Sequence, residues 1–348
     1  MKRLPFIDAL KALASQLIVL HHLAFYGPMS DYARSLAPET MSWFYSNARI
    51  AVQVFLVVGG FLAAQSLTRN GIFGDKPLPA LLWRRYLKLV RPYLVALLLA
   101  MLAAAIARRL MDHPATPGVP EIAQIIAHCF LLQGVLGFDG LSAGVWYVAI
   151  DFQLYALLAG ILWLAQRIRP GSATLAVWLV LLLVIASLFY FNRDSRLDNW
   201  AIYFFGAYGL GALTCWSTRR GATSRWLLLV FVLVIAALLL DYRVRLAVAL
   251  TVAVALALSR HTGLIERWPQ SAVIGWLGQI SYSVFLVHYP ICLVVSALFE
   301  HFALHSPEIQ AVGMLAAWAA SLAGGALFYR WVECRGEKGE GGRGKGGR

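Results

Sequence analysis

Ionisable residues inside apolar helices are costly, so each one marks candidate chemistry. The run after Phe6 places Asp8, Lys11, Ser15 and His22 on one helix. At about 100° per residue, Lys11, Ser15 and His22 lie roughly −60°, −20° and −40° from Asp8. All four therefore share a narrow stripe, and His21 falls off it as a structural residue. The rise from Lys11 to His22 is roughly 16 Å. A cation near the inner membrane face and a histidine at mid-to-outer depth thus face one side, and a histidine there can move a proton. The plainer alternative is a buried polar network with Lys11 snorkelling to the interface.

Two further helices add charge. In Trp83 to Tyr93, Arg84, Lys88 and Arg91 recur at i, i+4 and i+7, within about 60° of one another. With Arg85 beside them, these cations suit an anionic ligand with several phosphates. An ordinary basic flank of a membrane helix would look the same. Asp151 lies in Trp146 to Tyr155, and His288 in Leu277 to Pro290, both apolar runs. A carboxylate in hydrocarbon needs a partner, and a histidine is the natural expectation. Counted from the inner helix ends, His22, Asp151 and His288 each lie roughly 21–23 Å deep, which allows one site built from three helices. Asp241 and Glu300 stand at span ends and are expected to be solvated.

The elements that must carry these residues follow from composition. Of 348 residues, 60% are hydrophobic and 14% charged, against roughly 25% charged in soluble domains. Mean hydropathy is +0.69. The expectation is an all-α polytopic membrane protein of about ten transmembrane helices. Runs near 8–26, 48–67, 82–107, 143–166, 173–191, 199–216, 225–241, 244–259, 274–299 and 309–330 are read as spans, each long enough to cross a hydrocarbon core of about 30 Å. The apolar but short segment 121–137 carries Gln124, His128 and Gln133. If it spanned, Arg219 and Arg220 would face outward, against the positive-inside rule. It is therefore placed at the outer interface or as a re-entrant segment, with both termini cytoplasmic.

Asp8, Lys11 and His22 argue against a cleaved signal peptide and for a retained first helix. Residues 1–333 read as one transmembrane domain, and 334–348 as a disordered basic Gly-rich tail. The net charge of +13 is spread over short loops and not over one face, which excludes nucleic acid as partner. Cys129, Cys215, Cys292 and Cys334 are too scattered to imply a disulfide framework or a metal site.

These residues together resemble the membrane-bound acyltransferase-3 family, bacterial enzymes that O-acetylate surface polysaccharides and related glycans. The resemblance runs from Phe6 to Glu333. Lys11 and His22 match an Arg and a His separated by ten residues. Val54 to Leu62 is similar to a helix ending in Ser-Gly-Phe. Arg85, Lys88, Pro92 and Tyr93 match an Arg-x-x-Arg pair before Pro-Tyr. Trp146, Asp151 and Tyr155 match Trp, Glu and Phe-Tyr. Gly278 to Pro290 matches Gly-x-Ile-Ser-Tyr-x-x-x-Leu-x-His-x-Pro, the most specific motif, and Val332-Glu333 matches a terminal Val-Glu. Here Lys replaces Arg at 11 and 88, Gly replaces Ser at 59, Asp replaces Glu at 151, and Gln53 replaces an acid.

The resemblance implies an integral O-acyltransferase of the bacterial cytoplasmic (inner) membrane. Its co-substrate would be cytoplasmic acyl-CoA, acetyl-CoA by family frequency, with no metal. Its acceptor would be a hydroxyl of a cell-surface or lipid-linked carbohydrate, reached amid membrane lipid. Lys11, Arg84, Arg85, Lys88 and Arg91 would hold the donor. His22 would act as base or transient acyl carrier, oriented by Asp151 or His288. Trp146, Ser281 and Tyr282 would meet the acceptor. The alternative is a transporter or flippase whose Asp and His residues relay protons.

The topology is testable by cysteine labelling in intact cells. Cysteines placed near Gly118 and Arg193 should react from outside, and one near Arg220 should not. Outside labelling near Arg220 would mean that 121–137 spans.

Overall fold

The computed structural model describes residues 3–69, 72–74, 76–114, 116–218 and 224–334, with backbone alone at 69 and 224–226. The expectations for Arg219 and Arg220 and for the tail beyond Cys334 lie outside the described residues. In chain order the α-helices are α1 (Pro5–Phe25), α2 (Pro28–Ala33), α3 (Pro38–Asn47), α4 (Val52–Leu67), α5 (Leu78–Leu110), α6 (Ile122–Cys129), α7 (Val145–Ile168), α8 (Thr174–Phe189), α9 (Ala201–Ser217), α10 (Ser224–Leu240), α11 (Val244–His261), α12 (Ala272–Phe302) and α13 (Pro307–Phe328). Among the described residues the only strands are Thr68–Arg69 and Ile72–Phe73, paired antiparallel.

The chain is an all-α membrane protein. Among the described residues, eight helical stretches are long and apolar enough to cross a bilayer, counting α3 and α4 as one stretch, Pro38–Leu67. The sequence leads one to expect about ten. The runs at 199–216 and 225–241 form α9 and α10, of 17 residues each, which fall below that length. Helix α6 has eight residues, about 12 Å at 1.5 Å per residue, too short to span. The polar residues of this region have local partners. The His128 ring meets Gln124 O at 2.8 Å and accepts from Leu141 N at 3.1 Å, and Gln133 donates to Val145 O at 3.2 Å. Non-helical backbone at membrane depth is tolerated where such bonds satisfy it.

The helices form two compact units. One comprises Met1–Lys11, Val52–Tyr86 and Ala149–Gly275. Its centre is α9, buried from Tyr203 through Trp216. A helix apolar on every side belongs inside a bundle. Small residues let it pack closely against α4. A Cβ on Gly60 would stand 1.8 Å from Tyr208 O, and one on Gly211 would stand 2.0 Å from Val57 O. Such backbone contact is a common way for membrane helices to associate. Trp216 Nε1 fixes the register by donating to Thr68 Oγ1 at 3.1 Å. Asp241, expected to be merely solvated, is ion-paired with Arg193 at 3.3 Å and Arg243 at 3.4 Å. Arg243 also donates to Leu188 O at the end of α8 and to Asn192 Oδ1.

The other unit comprises Ala12–Ala51, Leu87–Val148 and Trp276–Arg348. Val19 and Leu23 of α1, Met29 of α2, Ile280, Val284 and Cys292 of α12, and Ala317 of α13 form one core. Ser306 caps α13 by accepting from Ile309 N at 3.4 Å, and Pro307 opens it. A π-helical turn at Tyr329–Glu333 follows α13, and Ser283 of α12 donates to Glu333 at 2.6 Å.

The α4–α9 contact predicts a sharp asymmetry. Gly211→Ala should destabilise the purified protein by about 1–3 kcal/mol through overpacking. Gly160→Ala, where a Cβ would meet nothing within 4 Å, should be nearly neutral. Thermal unfolding in detergent checks this, and equal stabilities would refute the close-packing account.

Candidate active site

The second unit holds a histidine pair. Asp8 and Lys11 lie on the same continuous helix α1 as Ser15 and His22. Asp8, Ser15 and His22 are buried, while Leu13 between them is 61% exposed, so the stripe faces protein. His22 Nδ1 lies 2.5 Å from His288 Nε2. The rings are inclined by 7° with centroids 4.8 Å apart, the geometry of two rings meeting edge to edge through an in-plane hydrogen bond. His288 Nδ1 in turn lies 3.0 Å from Val284 O.

These contacts fix the protons. A carbonyl oxygen only accepts, so His288 Nδ1 carries hydrogen. In neutral His288, Nε2 then holds a lone pair, and His22 Nδ1 must be the donor to it. In neutral His22, Nε2 then holds a lone pair, and it has no hydrogen-bond partner among the described residues. A lone pair presented this way can accept a proton, and His288 stabilises the cation that results. Tyr26 packs edge-on at 5.4 Å from His22, and Phe285 lies 6.1 Å from His288. His21 points elsewhere, toward Phe44 O at 3.0 Å, where it holds α1 to α3.

The first unit holds an ion-pair cluster. Asp151 of α7 pairs with Arg85 of α5 through a short hydrogen bond. This corrects the expected histidine partner for Asp151. A guanidinium is always charged and offers a fork of donors, so it compensates a buried carboxylate better than imidazole does. The Arg85 Cζ stands 5.1 Å over the Tyr155 ring. Tyr208 of α9 is wholly buried and within electrostatic reach of both Arg85 and Asp151. Near the start of α1, Asp8 accepts from Arg3 at 2.8 Å and pairs with Lys11 at 3.0 Å.

Of the expected donor cations, Arg84, Lys88 and Arg91 are exposed. Arg85 and Lys11 are less exposed, and each pairs with a carboxylate. The hydroxyls expected at the acceptor are committed to holding helices. Ser281 donates to Gly278 O at 2.9 Å within α12, and Tyr282 donates to Leu89 O of α5 at 3.1 Å. Trp146 is 39% exposed at the start of α7. Sequence reasoning missed Tyr208 and the Val284 carbonyl. The glycines around Tyr208, at 206, 209 and 211, signal a closely packed helix and so a forced side-chain position.

The sequence profile of the acyltransferase domain of acyltransferase family 3 matches residues 4–330, nearly the whole chain, and the protein belongs to that family of membrane acyltransferases. Among curated proteins and among solved structures, none matches the chain.

The Arg85–Asp151 pair should matter to folding. Asp151→Ala leaves a mostly buried cation unmatched, and the expected loss is about 3 kcal/mol. Asp151→Glu should keep most of the stability. An Asp151→Ala protein that unfolds at the native temperature would show that the pair does not hold its unit together.

Proposed function

We propose that the protein transfers an acyl group, acetyl by family frequency, from acyl-CoA to a hydroxyl of a cell-surface or lipid-linked carbohydrate at the bacterial cytoplasmic membrane. The observation that carries this reading is the Val284–His288–His22 chain, which leaves His22 Nε2 free to accept a proton. In this proposal His22 Nε2 takes the proton of the acceptor hydroxyl as its oxygen attacks the thioester carbonyl. The new C–O bond forms, the C–S bond breaks, and the CoA thiolate leaves and takes the proton back from His22. His288 is a positioning residue, because it acts through His22.

The donor's phosphates are proposed to meet Arg84, Lys88 and Arg91 of α5, whose exposure leaves them within reach of a soluble polyanion. The half-exposed indole of Trp146 offers a flat apolar face of the kind that sugar rings stack against. Ser281 and Tyr282 have no proposed role at the acceptor, because their hydroxyls have structural partners.

Purified full-length protein, incubated with labelled acetyl-CoA and lipid-linked sugar acceptors, should transfer label to the carbohydrate. His22→Ala should lower transfer by about 10²–10⁴-fold, the usual contribution of a general base, while donor binding persists. His21→Ala should be mild. Essential His21 with dispensable His22 would sink the assignment. Absence of transfer by the unmodified protein, with proton-coupled uptake instead, would favour a transporter.

A further inference from the structure

Arg85 combines two properties that do not fit a phosphate-binding residue. Its charge is neutralised by Asp151 through Oδ2, and its Nε–H is buried with no hydrogen-bond partner among the described residues. The Tyr208 hydroxyl is in the same position: the residue is 0% exposed and its oxygen has no partner among the described residues. Both belong to one cluster on four helices of the first unit. A Cβ built on Gly59 would lie 3.2 Å from the Tyr208 ring edge, closer than ordinary contact, and 3.6 Å from Asp151 Oδ1, so the missing side chain of Gly59 is what lets α4 lie against both. Two buried donors left without a partner in one cluster are expensive and call for an acceptor.

The chemistry of that acceptor follows from the charges. An anion entering here would face the Asp151 carboxylate across a few ångströms and be repelled. An uncharged carbonyl oxygen has two lone pairs, carries no such penalty and matches two N–H or O–H donors. We propose that Arg85 Nε and Tyr208 Oη form a carbonyl-binding site for an amide of the pantetheine arm of acyl-CoA, with Asp151 as the internal counter-ion that makes the site neutral. Phosphate recognition then falls to the exposed cations of α5. This inference rests on the acyl-CoA reading above and assigns Arg85 to a different part of the same donor.

The test compares two probes on the full-length protein in detergent. CoA carries both arm and phosphates, and adenosine bisphosphate carries phosphates alone. Tyr208→Phe removes only the hydroxyl and should fold normally. It should weaken CoA binding about tenfold, the cost of one neutral hydrogen bond, and leave the bisphosphate unchanged. Gly59→Ser, whose side chain crowds the Tyr208 ring, should have the same selective effect. Arg84→Ala with Lys88→Ala should weaken both probes. Equal weakening of both probes by Tyr208→Phe would make the cluster an anion site and overturn the proposal. No change in either would make the cluster purely structural and overturn it as well. Failure of the unmodified protein to bind either probe would remove the acyl-CoA reading itself, which separates the two failures.

Discussion

Hydrocarbon offers no hydrogen bonds, and this constraint organises the polar interior of the protein. Each buried charge must find its complement within the fold. Asp151 finds Arg85, and Asp8 finds Arg3 and Lys11. His22 and His288 find each other and then a main-chain carbonyl. The carboxylates take permanent cations, and the histidines, which can remain neutral, take neutral partners. This sorting separates fixed charge from transferable protons. A base paired directly with a carboxylate or an arginine would have its proton affinity dominated by that charge.

The same constraint explains why close helix packing matters beyond stability. Tyr208 can sit beside Arg85 and Asp151 only because α9 lies against α4 at backbone contact, through Gly60 and Gly211. The glycines thus act on the site at one remove. They position the helix, the helix positions the tyrosine, and the tyrosine ends within electrostatic reach of an ion pair. In the other unit, α12 is gripped on two sides. Gly325 of α13 presses against Val284, where a Cβ would stand 2.3 Å from Cγ2, and Ser283 is tied to Glu333. The carbonyl of Val284 that orients His288 is therefore on a backbone with little freedom to shift.

Much of this is legible in the sequence. Apolar runs place most helices within a few residues, because length and hydropathy are local properties. The stripe on α1 separates His22 from His21 by azimuth alone, and the two side chains do take different partners. Other features are not legible. The continuation of α3 into α4 is hidden by polar residues such as Glu39, Ser46 and Asn47. The partner of Asp151 escapes a reading by depth, because depth along a helix says nothing of orientation across helices. A clue does exist. Arg84, Lys88 and Arg91 share one stripe, and Arg85 lies about 100° from Arg84. The positive-inside rule treats neighbouring arginines alike, whereas the helix turns one outward and the other inward.

The orientation of the histidine pair bears on whether the protein performs chemistry or moves protons. A relay through a membrane needs each carrier to pass its proton onward. Here the far end of the chain is Nδ1 of His288 against the Val284 carbonyl, an oxygen that cannot take a proton at accessible cost. A proton accepted at His22 Nε2 therefore has no onward route through His288 and must return by the atom at which it arrived. That behaviour suits a base that removes a proton from a nucleophile and returns it to a leaving group within one turnover. The dead end at Val284 is the physical reason to favour transfer chemistry over proton conduction along these two residues.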